Sequence, residues 1–212
     1  MDSKKIPLPK LKRLFDIVFS LFFLIITLPI SILILAAVFI EHIGRGRWRS
    51  PLFYCEERIS RGKKFNLIKF NIFTPEVFYK VKESEKIVNI KEIERERKNL
   101  IFIGKIIQRV YLDELPQLFN VLKGDLSFVG PRPVNPEIYQ ELLARGVKTK
   151  SLVRAGLTGP YQAHKGEPGV NQDKLDGEYI NFCFNNPGWK VVLLDIKIIL
   201  RTFLIIFRAE GI

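Results

Sequence analysis

Cysteine and histidine are nearly absent from this chain: its 212 residues hold two of each. Cys55 and Cys183 lie far apart in sequence, so neither a disulfide framework nor a cysteine metal cluster is indicated, and both read as reduced thiols. His42 and His164 lack metal-ligand spacing and read as surface or interface histidines. No internal repeat and no low-complexity linker is present, and the length suits one domain, with room for an appendage. Acidic residues are in deficit, with 22 Asp and Glu against 34 Lys and Arg, a net charge of +12. Yet 47% of residues are hydrophobic, which excludes a disordered polybasic tail. A chain both basic and apolar has two natural partners, nucleic acid or a membrane with anionic headgroups. No recognition helix or aromatic–basic strand pattern supports nucleic acid. The basic residues instead flank apolar segments, so the membrane reading is favoured.

Charge is missing altogether from Ile17 to Ile40, 24 residues reading IVFSLFFLIITLPISILILAAVFI. A run of about 20 apolar residues spans a bilayer as a helix. It exceeds a signal-peptide core, no small-residue cleavage site follows, and no polar face marks it as a soluble helix. Pro29 lies near its middle, where it removes a backbone hydrogen bond. Ser20, Thr27 and Ser31 are placed to re-satisfy freed carbonyls. Both flanks are basic: Lys4, Lys5, Lys10, Lys12 and Arg13 before, and Arg45, Arg47 and Arg49 after. The positive-inside rule needs asymmetry, and there is none. A helix-break-helix hairpin that dips in and returns accounts for both oddities; a kinked single span is the alternative.

The tail, VVLLDIKIILRTFLIIF over 191–207, carries Asp195, Lys197 and Arg201, too many charges for an easy span. It reads either as an amphipathic helix lying at the headgroups or as a core helix. Between the membrane elements, LFY and KFNLIKF predict two short strands around a turn at Arg61-Gly62. Residues 76–98, rich in Lys and Glu, read as a solvated face with no chemistry. The chain thus divides into a basic N-terminus with membrane hairpin (1–50), a cytoplasmic domain (51–190) and a C-terminal amphipathic helix (191–212).

Residues 111–133, YLDELPQLFNVLKGDLSFVGPRP, are different in kind. Pro116 suits the first turn of a helix, Leu115, Leu118, Phe119 and Leu122 form its apolar stripe, and Lys123-Gly124 close it. Asp113 and Glu114 then stand at a helix N-terminus, where a capping role competes with a functional one. The surroundings favour function. Gly130-Pro131-Arg132-Pro133 is a stiff loop presenting an arginine, and Arg154-Ala-Gly-Leu-Thr-Gly-Pro-Tyr-Gln162 is a glycine-rich loop with another. Arginine grips phosphate bidentately, and Arg58, Lys69 and Arg109 add positive charge. Carboxylates among such cations suit a phosphate-handling site with a divalent metal.

At this block the sequence resembles the bacterial sugar transferases, the monotopic phosphoglycosyl transferases. The likeness runs from Lys12-Arg13-Leu-Phe-Asp16 through Glu57-Arg58, Lys63-x-Phe65, Lys69-Phe70 and the LDELPQL…GPRP block. It continues to Arg154-x-Gly156-Leu-Thr-Gly159, Leu175-Asp176-x-x-Tyr179 and the Asp195-x-Lys-Ile-Ile tail. The resemblance implies an α+β, mostly helical fold: a re-entrant membrane helix broken at proline, a small cytoplasmic domain with a short β-hairpin, and interfacial amphipathic helices. It implies transfer of a sugar-1-phosphate from a UDP-sugar to a polyprenol phosphate, such as undecaprenyl phosphate, with release of UMP. Asp113 would be the nucleophile and Glu114 its partner, the two holding Mg2+. Arg58, Lys69, Arg109, Arg132, Arg154, Gln162 and Asp176 would bind substrate. The enzyme would sit in the bacterial inner membrane with its catalytic domain on the cytoplasmic face. Asn71, Gln108, Tyr111 and Ala155 replace the usual Arg, Arg, Ser and Pro of the pattern. Those changes keep a second reading open, a non-catalytic membrane-anchored partner with the transferase fold.

Overall fold

The computed structural model describes residues 9–83 and 90–207. Lys4 and Lys5 of the basic flank, residues 84–89 of the Lys/Glu-rich segment and residues 208–212 of the tail lie outside it. The chain is mostly helical, and its contacts divide it into two units. Unit 1 comprises residues 1–23, 56–67 and 117–212; unit 2 comprises 24–55 and 68–116.

Helix α1 (Lys10–Gly44) opens the described chain and belongs by its two parts to both units. Its 35 residues include Pro29 and form one continuous element, so the expected pair of helices separated by a break is a single helix here. At 1.5 Å per residue its path along the helix axis is about 52 Å, more than the roughly 30 Å hydrocarbon thickness of a bilayer. Its apolar side chains mostly face outward, with Ile25, Ile26, Leu28, Ile32, Leu33 and Ile40 all exposed. The exposed, charge-free stretch from Ile17 to Ile40 is disfavoured in water and at home in lipid.

The predicted hairpin forms from β1 (Phe53–Ser60) and β2 (Lys63–Phe70), longer than the sequence suggested. Arg61 and Gly62 both take positive φ, 50° and 70°, as a two-residue turn matching strand twist requires. The hairpin's turn end lies in unit 1 and its open end in unit 2.

In unit 1, α5 (Gln117–Lys123) ends at Gly124 in the left-handed region, as its sequence indicated. Arg13 donates to the last carbonyls of α5, at 2.7 Å each to Val121 and Leu122, a cation on the negative end of a helix. Strand β3 (Ser127–Val129) pairs in parallel with β4 (Gly156–Thr158), joined through α6 (Pro136–Ala144) and α7 (Thr149–Leu152). Then follow α8 (Gln172–Asn185) and α9 (Gly188–Phe207). Asn135 and Asn171 cap α6 and α8 by accepting from the third amide beyond. The tail helix α9 combines both of its expected characters. Val191, Asp195, Ile198 and Ile199 are buried, while Leu193, Leu200 and Leu204 are exposed beside exposed Lys197 and Arg201.

A buried ionic knot roots α1 in unit 1. Lys12 Nζ donates to Asp195 Oδ2 at 2.6 Å and to the Val129 carbonyl at 3.0 Å. Tyr179 donates to Asp195 Oδ1 at 2.8 Å. Asp16, 3.8 Å from the same ammonium, accepts from Ser127 Oγ and the Phe128 amide. Phe19 and Phe23 pack on Phe128 just beyond.

In unit 2 the rest of α1 packs Ile34 and Val38 into a core with Tyr54, Phe70, Ile72, Phe73, Phe78, Leu100 and Ile101. This unit also holds α2 (Pro75–Glu83), α3 (Ile90–Arg95) and α4 (Phe102–Ile107). Glu41, in the last turns of α1, accepts from the first amides of α4, Phe102 at 2.6 Å and Ile103 at 3.0 Å. His42, expected at a surface or an interface, is buried because the same turns face the core.

Lys12→Met leaves two carboxylates buried without their cation. It should lower unfolding free energy by about 3–5 kcal/mol, read by denaturant titration in detergent. Lys123→Met, on an exposed side chain, should stay within about 0.5 kcal/mol of wild type.

Candidate active site

The acidic pair lies in unit 2, on a chain forced into an unusual turn. Two short 3-10 turns, Gln108–Val110 and Leu112–Glu114, meet at Tyr111, whose φ of 58° is left-handed. A non-glycine residue there costs on the order of 1 kcal/mol, and such strain gathers at functional sites. The sequence placed Asp113 and Glu114 at the start of the following helix; the structure puts them in the preceding turn, with α5 beginning at Gln117. Asp113 is therefore no helix cap. It is 3% exposed, and its Oδ1 has no hydrogen-bond partner among the described residues.

Lys69, near the end of β2, faces this turn. Its ammonium lies 3.4 Å from Glu94 Oε1 and 3.7 Å from Glu114 Oε1. Burial pushes the Asp113 carboxyl up to about 7; Glu114 and then Glu94 add to the rise, and Lys69 opposes it. Near neutral pH such a group exists in both protonation states, which suits a carboxylate that must give and take charge. Arg109 belongs to the same unit and is exposed on the preceding turn.

Glu94 is the residue that sequence reasoning missed. It sits in a run of Lys and Glu that reads as a solvated face, 19 residues before Asp113, and no local signal marks it out.

The pair fits magnesium of one kind. Among the described residues no three His, Cys, Asp or Glu side chains form a group that could hold a metal. Magnesium usually takes one or two carboxylates and completes its shell with water and substrate phosphates. Asp113 and Glu114, with one buried oxygen unclaimed, match that donor set.

The other expected residues lie in unit 1 and are described there alone. The Arg132 loop and the Arg154 loop abut through glycines. A Cβ on Gly156 would stand 2.1 Å from the Gly130 nitrogen, and one on Gly159 would stand 2.0 Å from the Gly130 oxygen. Only glycine permits that approach. Arg132 and Arg154 are half-buried and make no hydrogen bond or ion pair among the described residues. Gln162 Oε1 is buried with no hydrogen-bond partner among the described residues. Arg58 pairs with Glu56. Asp176, expected to touch substrate, is turned inward: it is fully buried and binds Lys150 at 2.5 Å. Its carboxylate serves an internal ion pair, because an unpaired lysine in the same place would be far costlier.

The family model described as "Bacterial sugar transferase" matches residues 8–209. The chain belongs to the bacterial sugar transferase family. It is 34% identical over 209 residues to a Bacillus subtilis protein named "Uncharacterized sugar transferase EpsL", covering 95% of this chain and 90% of that protein. It is 34% identical over 213 residues to the undecaprenyl-phosphate galactose phosphotransferase of Salmonella typhimurium, covering 95% of this chain. It is 32% identical over 203 residues to the undecaprenyl-phosphate glucose phosphotransferase of Komagataeibacter xylinus, covering 90% of this chain. The chain spans 41% and 35% of the lengths of those two phosphotransferases.

In this transferase the raised Asp113 pKa makes a stability prediction. The folded state holds the Asp113 proton more tightly than the unfolded state does, so ionisation costs folding energy as pH rises from about 4 through 7. Asp113→Asn removes that cost. With EDTA present, the variant should match wild type near pH 4 and be more stable near pH 8, read by melting temperature at each pH. A helix-capping aspartate would give the opposite result at pH 8, a loss of about 1 kcal/mol.

Proposed function

We propose that this sugar transferase moves a sugar-1-phosphate from a UDP-sugar to a polyprenol phosphate, undecaprenyl phosphate being the acceptor that relatives' names suggest. The observation that carries the reading is the Asp113 carboxylate, buried with an oxygen unclaimed, next to Glu114 and Lys69. Asp176 also has an unpartnered buried oxygen, but its carboxylate is neutralised by Lys150, whereas Asp113 has no ion pair among the described residues.

In this reading an Asp113 oxygen attacks the β-phosphorus of the donor. The new O–P bond forms as the bond to the UMP oxygen breaks, and UMP departs with that electron pair. The sugar phosphate is then an acyl phosphate on Asp113. A phosphate oxygen of the lipid attacks the same phosphorus, and the Asp113 carboxylate leaves. One difficult displacement becomes two easier ones. Lys69 neutralises charge on the transferring phosphoryl group. Magnesium held by Asp113 and Glu114 would supply positive charge at the diphosphate.

Membrane association agrees with the exposed apolar surface. Besides α1, the helix α4 and the turn after it expose Phe102, Ile106 and Val110, four residues apart and hence on one face. Glu41 ties the start of α4 to the end of α1's apolar stretch within unit 2. That stripe leads directly to the Asp113 turn, so lipid contact there would hold the site at headgroup level, within reach of a lipid phosphate. The basic residues at both ends of α1, with Pro29 between them, support a re-entrant path with both ends on the cytoplasmic side of a bacterial inner membrane.

Two experiments test these readings. Purified protein with magnesium and a panel of UDP-sugars should release UMP before any lipid is added, and intact mass should show a sugar-phosphate adduct. Asp113→Asn should abolish both; an Asn variant that still turns over rules out the covalent route. For topology, Lys10→Cys and Arg47→Cys in a Cys55→Ser background should show equal protection from an impermeant thiol reagent in intact cells. Opposite accessibility would mean a full span.

A further inference from the structure

Two arginines of unit 1 meet at the end of α5. A Cβ placed on Gly124 would stand 3.4 Å from Arg13 Nη2 and 3.9 Å from Arg154 Nη2, so both guanidiniums flank one bare point of the backbone. Arg13 donates to the Val121 and Leu122 carbonyls, which carry no formal charge. Arg154 makes no hydrogen bond or ion pair among the described residues. The carboxylates nearest in sequence are committed elsewhere. Asp125 is held by Lys123 and Asn120, and Asp16 by Ser127 Oγ and the Phe128 amide. Arginine does not shed its proton in proteins, so two like charges face each other across Gly124. Side chains with no further role would separate to lower that repulsion.

The backbone sets both in place. Ala155, next to Arg154, donates to Ser60 Oγ at 3.0 Å and accepts from the Ser127 amide at 2.8 Å. Arg13 stands on the turn of α1 that Lys12 and Asp16 fix. The helix surface indicates what kind of anion fits. Along the Arg13 face of α1, Ile17 and Leu21 follow at intervals of four residues, and both are exposed. Ile17 opens the charge-free stretch, so Arg13 lies where a membrane helix passes from headgroups into hydrocarbon.

We propose that Arg13 and Arg154 form a cradle for the phosphate of a membrane lipid, whose hydrocarbon chain lies along Ile17 and Leu21. Guanidiniums grip phosphate oxygens through paired N–H donors, and an anion shared between the two is what their juxtaposition lacks. The inference rests on α1 as a membrane helix and makes no use of the covalent route through Asp113.

The test is binding without turnover, on the full-length protein in maltoside micelles with EDTA. Lipid titrations read by native mass spectrometry compare undecaprenyl phosphate with undecaprenol, which has the same chain and no phosphate. Calorimetry measures inorganic pyrophosphate, and melting temperatures are taken alongside. Wild type should hold undecaprenyl phosphate at least about tenfold more tightly than undecaprenol. Arg154→Gln breaks no hydrogen bond or ion pair among the described residues. It should weaken the phosphate lipid about tenfold, the scale of a hydrogen bond to a charged group, and leave undecaprenol within about twofold. Arg13→Lys, which keeps the charge and loses the fork, should show a smaller loss. Arg145→Gln, the same change at an exposed arginine of unit 1, should match wild type. In wild type itself, undecaprenyl phosphate should protect Arg13 and Arg154, and not Arg145, from phenylglyoxal, mapped by peptide mass. Equal affinity for the two lipids, Arg154→Gln at wild-type affinity, or an unprotected pair overturns the proposal. So does a loss confined to pyrophosphate, which would assign the pair to a soluble diphosphate. A protein that binds the phosphate lipid as stated but releases no UMP sinks the transferase reading and leaves the cradle standing.

Discussion

One buried ammonium organises unit 1. Lys12 is 1% exposed, and a charge taken that far from water must find its compensation inside the protein. It finds Asp195 on α9 and the Val129 carbonyl at the end of β3, while Tyr179 of α8 bonds both of the same groups. Asp16, one helical turn beyond Lys12, meanwhile holds the start of β3. Four elements distant in sequence are thereby drawn onto one point at the foot of α1. None can shift without exposing or orphaning a charge. The GPRP loop follows directly after β3, so the knot that anchors the helix also anchors the loop carrying Arg132.

Unit 2 bears a different stress. It buries Asp113 beside Glu114 and sets Lys69 within reach of both Glu94 and Glu114. Packing alone would not choose that arrangement, and the left-handed Tyr111 adds strain to it. Regions that break local rules in an otherwise consistent fold are where function is expected. The cost falls on the segment that would carry out the chemistry, while the hydrophobic core on which that segment rests remains regular.

Much of this was legible residue by residue. The Arg61-Gly62 turn, the close of α5 at Lys123-Gly124 and the charge-free stretch of α1 are local features, set by φ preferences, dipoles and solvation. The acidic pair and the GPRP block were legible as a motif. Their setting was less so. On local pattern a capping role for Asp113 competed with the functional one, because Pro116 suits a first helical turn, but left-handed Tyr111 leaves the pair in a turn of its own. Asp176 read as a ligand and is the partner of Lys150, a pairing across 26 residues that no spacing rule anticipates.

The sequence by itself determined the membrane run, the hairpin, the helix that follows the acidic pair and the family. Each of these rests on interactions within a few residues or on a contiguous motif. Only the tertiary structure decided which charges are buried together. Lys12 met Asp195, Lys69 met Glu94 and Glu114, and Asp113 was left with an oxygen unclaimed. A charge run such as 76–98 looks the same in sequence whether a given glutamate faces water or a lysine. The energy that separates the two cases is desolvation, which depends on chain segments far away.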